Sequence, residues 1–411
     1  MKKRCKMLLI MLIAILVSVG NCNQSKAADI YEPYGSFIKK WKLDQTQTLR
    51  LKDAKYRYCM SQDGTECWIR AIDPYNPRRT LKIPGEINGI PVTRIGRYNS
   101  EEGEEEAWDD VVYHGSVRNL FGIQVIRQYE KFPNSLKNSK KIKKIVIPDS
   151  VKEITRYCFA TLDNLEEVVL PKDLKILHGM TFVHCEKLKK VVIPAGTEQI
   201  CTGAFLDCDS LKKIEVEKDA THYRVYKGCL LSKDKTVFYG PTQDADTLKI
   251  PKGVREMQAI TFPQFSVKTL KFPETLWEIG EHEYVIGEGT TCVVNKKNPV
   301  MANIGKHVYN KLTGELQIAA EENGVVNIPK GIKKLRRYVI FSGDEDVRKV
   351  VIPKTVKSID DCWFQNFPRI RDIEFHFLGK KPPKLVGEYP HTSLETAKYY
   401  VPKKSFKKYK K

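Results

Sequence analysis

Residues 142–216 read IKKIVIPDSVKEITRYCFATLDN, then LEEVVLPKDLKILHGMTFVHCEK, then LKKVVIPAGTEQICTGAFLDCDS, then LKKIEV, so that Pro148, Pro171 and Pro194 fall 23 residues apart. The other columns keep the same ruler. Val151, Leu174 and Thr197 form one, Ile154, Leu177 and Ile200 a second, Phe159, Phe182 and Phe205 a third, and Leu165, Leu188 and Leu211 a fourth. A fixed period of this length means a solenoid, in which each unit buries its apolar side against the next. The run before each proline is short and β-branched and reads as a strand. Proline has no N–H to give to a ladder, so it ends the strand and turns the chain. A second short extended piece then carries Val151 and Ile154 inward. The Phe159 segment is too short for a long helix and is expected to make one helical or 3₁₀ turn. All these apolar columns read first as packing.

The pattern resembles the BspA-like leucine-rich repeat proteins of bacterial surfaces, on the strand-proline units, the Phe159/Phe182/Phe205 column and the flanking leucines. The proline anchor recurs at Pro84, Pro251, Pro273, Pro329 and Pro353 as well, so the resemblance runs from about Leu49 to the C-terminus. It implies a right-handed leucine-rich repeat solenoid, β-rich with short helical turns and hairpin inserts, an extracellular location and a binding role. It carries no catalytic motif.

The flanks fit an exported chain. Residues 1–28 resemble a secretory signal: Lys2, Lys3, Arg4 and Lys6 precede an apolar run, Met7–Val19, too short for a comfortable membrane span, and Ser25-Lys26-Ala27 and Ala28 offer small residues for cleavage. A lipid anchor on Cys22 competes with free secretion, although Asn21 is a poor residue just before a lipidated cysteine. Residues 29–80 read as an N-terminal cap, with Gln62-Asp63-Gly64 turning a β-hairpin whose arms carry Cys59 and Cys67, a possible disulfide. Residues 81–402 read as the solenoid, and Asn88-Gly89 adds a tight turn near its start.

Three stretches break the period. Residues 97–135 crowd Glu101, Glu102, Glu104, Glu105, Glu106, Asp109 and Asp110 around Gly103. Their spacing does not match a calcium loop, and a solvated insertion is the expectation. Residues 217–247 and 292–324 each read as a β-hairpin insert with a polar turn, at Lys233-Asp234-Lys235 and Lys311-Leu312-Thr313-Gly314. Residues 403–411 read as a frayed basic tail after a cap at Tyr399-Tyr400-Val401-Pro402.

Charge and chemistry bound the function. The chain of 411 residues carries a net charge of +20; without residues 1–28 it has 65 basic and 50 acidic side chains, or +15. This favours anionic partners: wall polymers, acidic glycans, lipid headgroups or acidic proteins. An exported chain without a nucleic-acid motif argues against nucleic acid. The histidines form no H-E-x-x-H, no serine sits in G-x-S-x-G, and the eleven cysteines form no paired C-x-x-C. Neither enzyme chemistry, nor a metal, nor a cofactor is expected, and Cys158, Cys185, Cys201 and Cys208 read as small buried hydrophobes.

The expected site follows from strand alternation. If Ile145 and Ile147 face the core, Lys144 and Val146 face outward, and so do Glu167 and Val169, Lys190 and Val192, and Lys213 and Glu215. Stacked coils set these about 5 Å apart, as a valine stripe flanked by lysines. The expectation is a secreted or cell-surface protein that binds a host or envelope protein or an anionic glycan, as in adhesion to host extracellular matrix or to a cell-wall polymer. A structural spacer of the envelope is the alternative, and an undetected wall-active enzyme a third reading. Mass spectrometry of the exported chain is expected to find an N-terminus at Ala28 or Asp29; a lipid-modified Cys22 would replace free secretion by membrane anchoring.

Overall fold

The structure, a computed structural model, describes residues 40–410 apart from 43–44, 76–77, 97–139, 156–157, 180, 202, 259–264, 281–289, 338, 343–346, 361–363, 367–372 and 388–396. The signal-like residues 1–28 and the acidic insertion lie outside the described residues.

The chain is a β-solenoid. Each regular coil places one strand before its proline and a two-residue strand after it. The first kind builds a five-stranded parallel sheet from Thr80–Lys82, Lys144–Val146, Glu167–Val169, Lys190–Ile193 and Lys213–Val216. The second kind, Glu153–Ile154, Ile176–Leu177 and Gln199–Ile200, builds a parallel ladder on another side of the coil. The proline joins the two: the Pro148 carbonyl accepts the Val151 N–H at 3.1 Å, and Pro171, Pro194, Pro251, Pro273, Pro329 and Pro353 accept from the residue three further on in the same way.

The Phe segments differ from the expected helical turn. They form isolated single turns whose main chain bonds mostly to the neighbouring coil: Phe159 N–H donates to Thr181 O at 2.9 Å and Phe182 N–H to Ala204 O at 2.8 Å. Thr161, His184 and Asp207 take left-handed backbone at φ of 58°, 58° and 54°, one per coil. That reversal stops a helix from propagating. From Trp41 onward, the described residues hold helix only at Lys403–Ser405 and Phe406–Tyr409. The basic tail is therefore folded rather than frayed, and the Tyr409 hydroxyl donates to Gly379 O at 3.0 Å.

The ruler drifts along the chain. Thr247, Thr269 and Thr291 pair at a step of 22, whereas Val326, Val350 and Phe375 step by 24 and then 25. Among the described residues, three antiparallel meanders punctuate the coils. The first is Gln47–Arg50, Ala54–Met60 and Cys67–Pro74; the second Tyr223–Tyr226, Cys229–Ser232 and Val237–Pro241; the third Met301–Ile304, His307–Asn310 and Glu315–Ile318. The two expected hairpins thus each gain a strand, because Lys227-Gly228 and Gly305-Lys306 make a further two-residue turn. They do not stand aside from the coil. The last strand of the first meander pairs in parallel with Ile90–Ile95 and those of the other two with the next two-residue strand, so each meander opens a ladder. The first two meanders even share a turn. Ser61 Oγ donates to Asp63 at 2.6 Å and accepts Glu66 N–H; Ser232 Oγ donates to Asp234 at 2.6 Å and accepts Val237 N–H.

Side chains lock the modules together. The Tyr223 hydroxyl accepts the Ile200 N–H at 3.0 Å and donates to Glu198 O, closing the end of the first ladder. Buried Arg336 donates to Ile279 O at 2.5 Å and to Gly280 O, closing the second, and to Gln317 Oε1 at 2.8 Å.

The core runs along the coil axis. Phe159, Phe182 and Phe205 are buried and stack with ring centroids 5.4 and 5.6 Å apart. Cys185 and Cys208 lie beneath them, and each thiol donates at 3.2 Å to the carbonyl of the phenylalanine one coil earlier. The Cys59–Cys67 disulfide is absent. Cys59 pairs with Trp68 and Met60 with Cys67, so the two sulfurs lie on opposite faces of the same strand pair. Gly96, at φ +106°, leaves no room for a Cβ against the Thr155 hydroxyl.

Phe182→Ala is expected to cost about 3–5 kcal/mol, the usual loss for a buried aromatic, read by chemical denaturation. An unchanged denaturation midpoint would contradict the stacked column.

Candidate functional site

The structure brings all eight predicted residues together on the five-stranded sheet. Residues at 145, 168, 191 and 214 are buried, which fixes the outward direction of their neighbours. One outward row is Thr80, Lys144, Glu167, Lys190 and Lys213. The other begins Lys82, Val146, Val169 and continues, at the same offset, to Val192 and Glu215. Thr80 and Lys82 escaped the sequence reading because residues 97–135 lie between them and the next coil. Val169 is exposed, and Val146 and Val192 are half-buried.

The lysines do not stand alone. Lys144 Nζ lies 2.6 Å from Glu167, and Glu215 holds Lys190 at 2.6 Å and Lys213 at 3.1 Å. Beside them Glu166 joins Lys143 at 2.5 Å and Lys189 at 2.6 Å, and those two hydrogen bonds hold its carboxyl down at about 2. Hydrogen bonds from Lys190 and Lys213 likewise lower Glu215. These are exposed pairs, so they contribute little to stability. Their effect is on the surface: the face is a zipper of paired charges beside an apolar row, much less basic than the composition suggests.

A second constellation was missed by sequence reasoning. On the ladder side, Trp68, Arg94 and Glu153 occupy one cross-strand row. The Arg94 guanidinium lies 5.5 Å from the Trp68 ring centroid, and its Nε donates to Glu153 at 2.8 Å. His178 Nε2 lies 2.8 Å from the other Glu153 oxygen, and Trp41 meets Trp68 edge-on at 5.5 Å. Burial pushes the Glu153 carboxyl up, but the His178 hydrogen bond and the Arg94 charge outweigh it and leave the group below its ordinary value. The signal in the sequence was slight: Arg94 and Glu153 each precede an isoleucine of the second column, but 59 residues separate them.

Burial pushes the Cys185 and Cys67 thiols up to about 12, so neither is a thiolate at neutral pH. Among the described residues no group of three His, Cys, Asp or Glu side chains could hold a metal ion, and no helix is long and apolar enough to cross a membrane.

Parallel strands ending in proline, an inner column of aromatic and branched residues and an outer face of repeating side chains define a leucine-rich repeat solenoid. The model of the BspA type leucine rich repeat region matches residues 132–234, 232–286 and 321–380, in six copies, and the chain belongs to that family. Its repeats suit protein interaction, and the family is not an enzymatic one. No curated protein matches the chain. Among solved structures, a leucine rich cell surface protein of Faecalibacterium prausnitzii is 15% identical over 88% of this chain and 97% of its own, with a TM-score of 0.35. The pneumococcal vaccine antigen PcpA is 16% identical over 88% and 95%, with a TM-score of 0.36. A leucine-rich repeat protein of Eubacterium ventriosum is 12% identical over 87% and 96%, with a TM-score of 0.37.

The folded Glu153 carboxyl lies below its unfolded value of 4.5, so its contribution is complete above that pH and is lost as pH falls through the folded pKa. Glu153→Gln is expected to cost about 1–3 kcal/mol at neutral pH, the cost of stripping a buried group of its partner. It should also flatten the acid side of the stability profile. Thermal melts across the acid range check this; an unaltered acid slope would remove Glu153 from the titration.

Proposed function

We propose that the protein acts outside the cell as a surface-displayed or secreted binding protein, and that its partner is a macromolecule seated on the five-stranded sheet of residues 80–216. One observation supports this most: the outward row Lys82, Val146, Val169 and Val192 places apolar side chains in register on successive coils, next to charges already satisfied within the sheet. A rigid, pre-ordered surface of this kind avoids much of the ordering cost of binding. The paired lysines favour a protein over a simple polyanion, because a polyanion would have to displace Glu167 and Glu215. Adhesion to a host extracellular matrix protein is the role this reading assigns, with cell-wall polymer or anionic glycan as the other class of ligand.

The test is a binding screen of the exported chain against matrix proteins, glycans and wall polymers, followed by Val169→Asp with Val192→Asp in a variant whose circular dichroism is unchanged. Loss of at least about tenfold in affinity is expected, the size typical of a residue central to an interface. Affinity that survives the double substitution places the site elsewhere. An empty screen favours a structural spacer.

A further inference from the structure

Inside the chain, each ladder of two-residue strands is finished by the module that follows it. Tyr223 closes the end at Ile200, and Arg336 closes the end at Ile279 and Gly280. The third ladder ends at Lys384–Val386 and the last proline-side sheet at Lys398–Tyr400, and among the described residues no strand pairs with either outer edge. The core columns run out at the same place. Val326, Val350 and Phe375 are buried and the next residue in that register, Tyr399, is 54% exposed; Leu316, Leu335 and Ile359 are buried and the next, Leu385, is 62% exposed. Every position of both strands is exposed, which among the described residues is true of no other strand whose burial is described. A solenoid end of this kind is a template for one more strand.

Its charge selects what can add. Residues 403–410 read KKSFKKYK, five lysines, and Tyr409 pins them beside the turn that carries Lys380 and Lys381, through bonds to Gly379 O and Lys381 O at 3.0 and 3.2 Å. From Leu378 to Lys410 the sequence holds nine lysines against two acidic residues, Glu388 and Glu395, which lie outside the described residues. The nearest carboxylate in register, Glu374, is engaged by His376 at 2.7 Å and by the Tyr400 hydroxyl at 3.1 Å. A second copy docking by the same end would bring lysine against lysine. A polyanion without strand-forming backbone would meet the lysines and leave both edges and both columns uncovered.

We propose that the C-terminal end of the solenoid receives an acidic, extended polypeptide segment, which adds as a further strand beside Lys398–Tyr400, stacks an apolar side chain on Tyr399 and sets its carboxylates among the lysines of residues 403–410. Main-chain bonds supply the affinity and alternate side chains the selectivity, as in strand addition generally. This site lies at the other end of the molecule's order of coils from the sheet of residues 80–216 and does not depend on that sheet's role.

The experiment uses a fluorescent eight-residue peptide alternating glutamate with valine or phenylalanine, and anisotropy with the full exported chain. The expected result is saturable binding that weakens with salt. N-methylation of alternate peptide nitrogens should weaken it by at least tenfold, because it removes the ladder donors and keeps the charge. Lys404→Glu with Lys408→Glu, both exposed, should weaken it similarly without touching the fold, and Tyr399→Ser should do so through the column. Failure of the peptide to bind overturns the proposal. So does equal binding of the N-methylated peptide, or equal competition by a sulfated polysaccharide, since either makes the end a polyanion site only.

Discussion

Everything in this molecule depends on main-chain hydrogen bonds that run from one coil to the next. A two-residue strand such as Ile176–Leu177 has no stability of its own; it exists because Glu153–Ile154 lies on one side and Gln199–Ile200 on the other. The same is true of the Phe turns, whose N–H groups reach the neighbouring coil. Proline makes this workable. It ends the strand without leaving an unused donor, and its carbonyl starts the turn that leads to the next short strand. The aromatic stack and the thiol contacts beneath it then fill an interior that the backbone has already spaced.

Much of this was legible because a repeat reports on itself. Three coils in a row with Ile145, Val168 and Val191 in one column and Phe159, Phe182 and Phe205 in another settle strand direction, burial and register together, and the outward set from Lys144 to Glu215 followed without further assumption. What was not legible lies between coils of different type. Which carboxylate holds Lys190 is decided by the reach of a side chain across a strand, and Glu215 rather than Glu167 takes it. The Arg94–Glu153 pair spans residues 97–139, and no periodicity carries across that gap. The hairpins were visible by their polar turns, whereas the additional turn at Lys227-Gly228 depends on two successive left-handed residues, at φ of 52° and 75°, which only the backbone shows. Cys59 and Cys67 were close in sequence and on paired strands, yet the parity of the pairing separates their sulfurs.

The free cysteines bear on where such a chain can work. Oxidising surroundings favour disulfides, and Cys59, Cys67, Cys185, Cys208, Cys229 and Cys292 are free thiols. Cys185 and Cys208 are buried and hydrogen-bonded to main-chain carbonyls, and burial keeps their protons on. A thiol of that kind is slow to react because the thiolate is the reactive form. Unpaired cysteine in this fold is therefore compatible with life outside the cytoplasm.

The three meanders give the molecule a grain. Parallel two-residue strands hold their neighbours by very few bonds, so a coil loaded along the axis can be shed with little effect beyond the next one. An antiparallel meander such as Tyr223–Pro241 resists as a block, since its strands are longer and bonded to each other before they are bonded to the coils. Tyr223 and Arg336, which tie the first two ladders to the modules after them, sit at the seams. A tether attached to such a chain would pull on a series of separate springs rather than on one uniform rod, with the damage from a peeled coil arrested at the next seam.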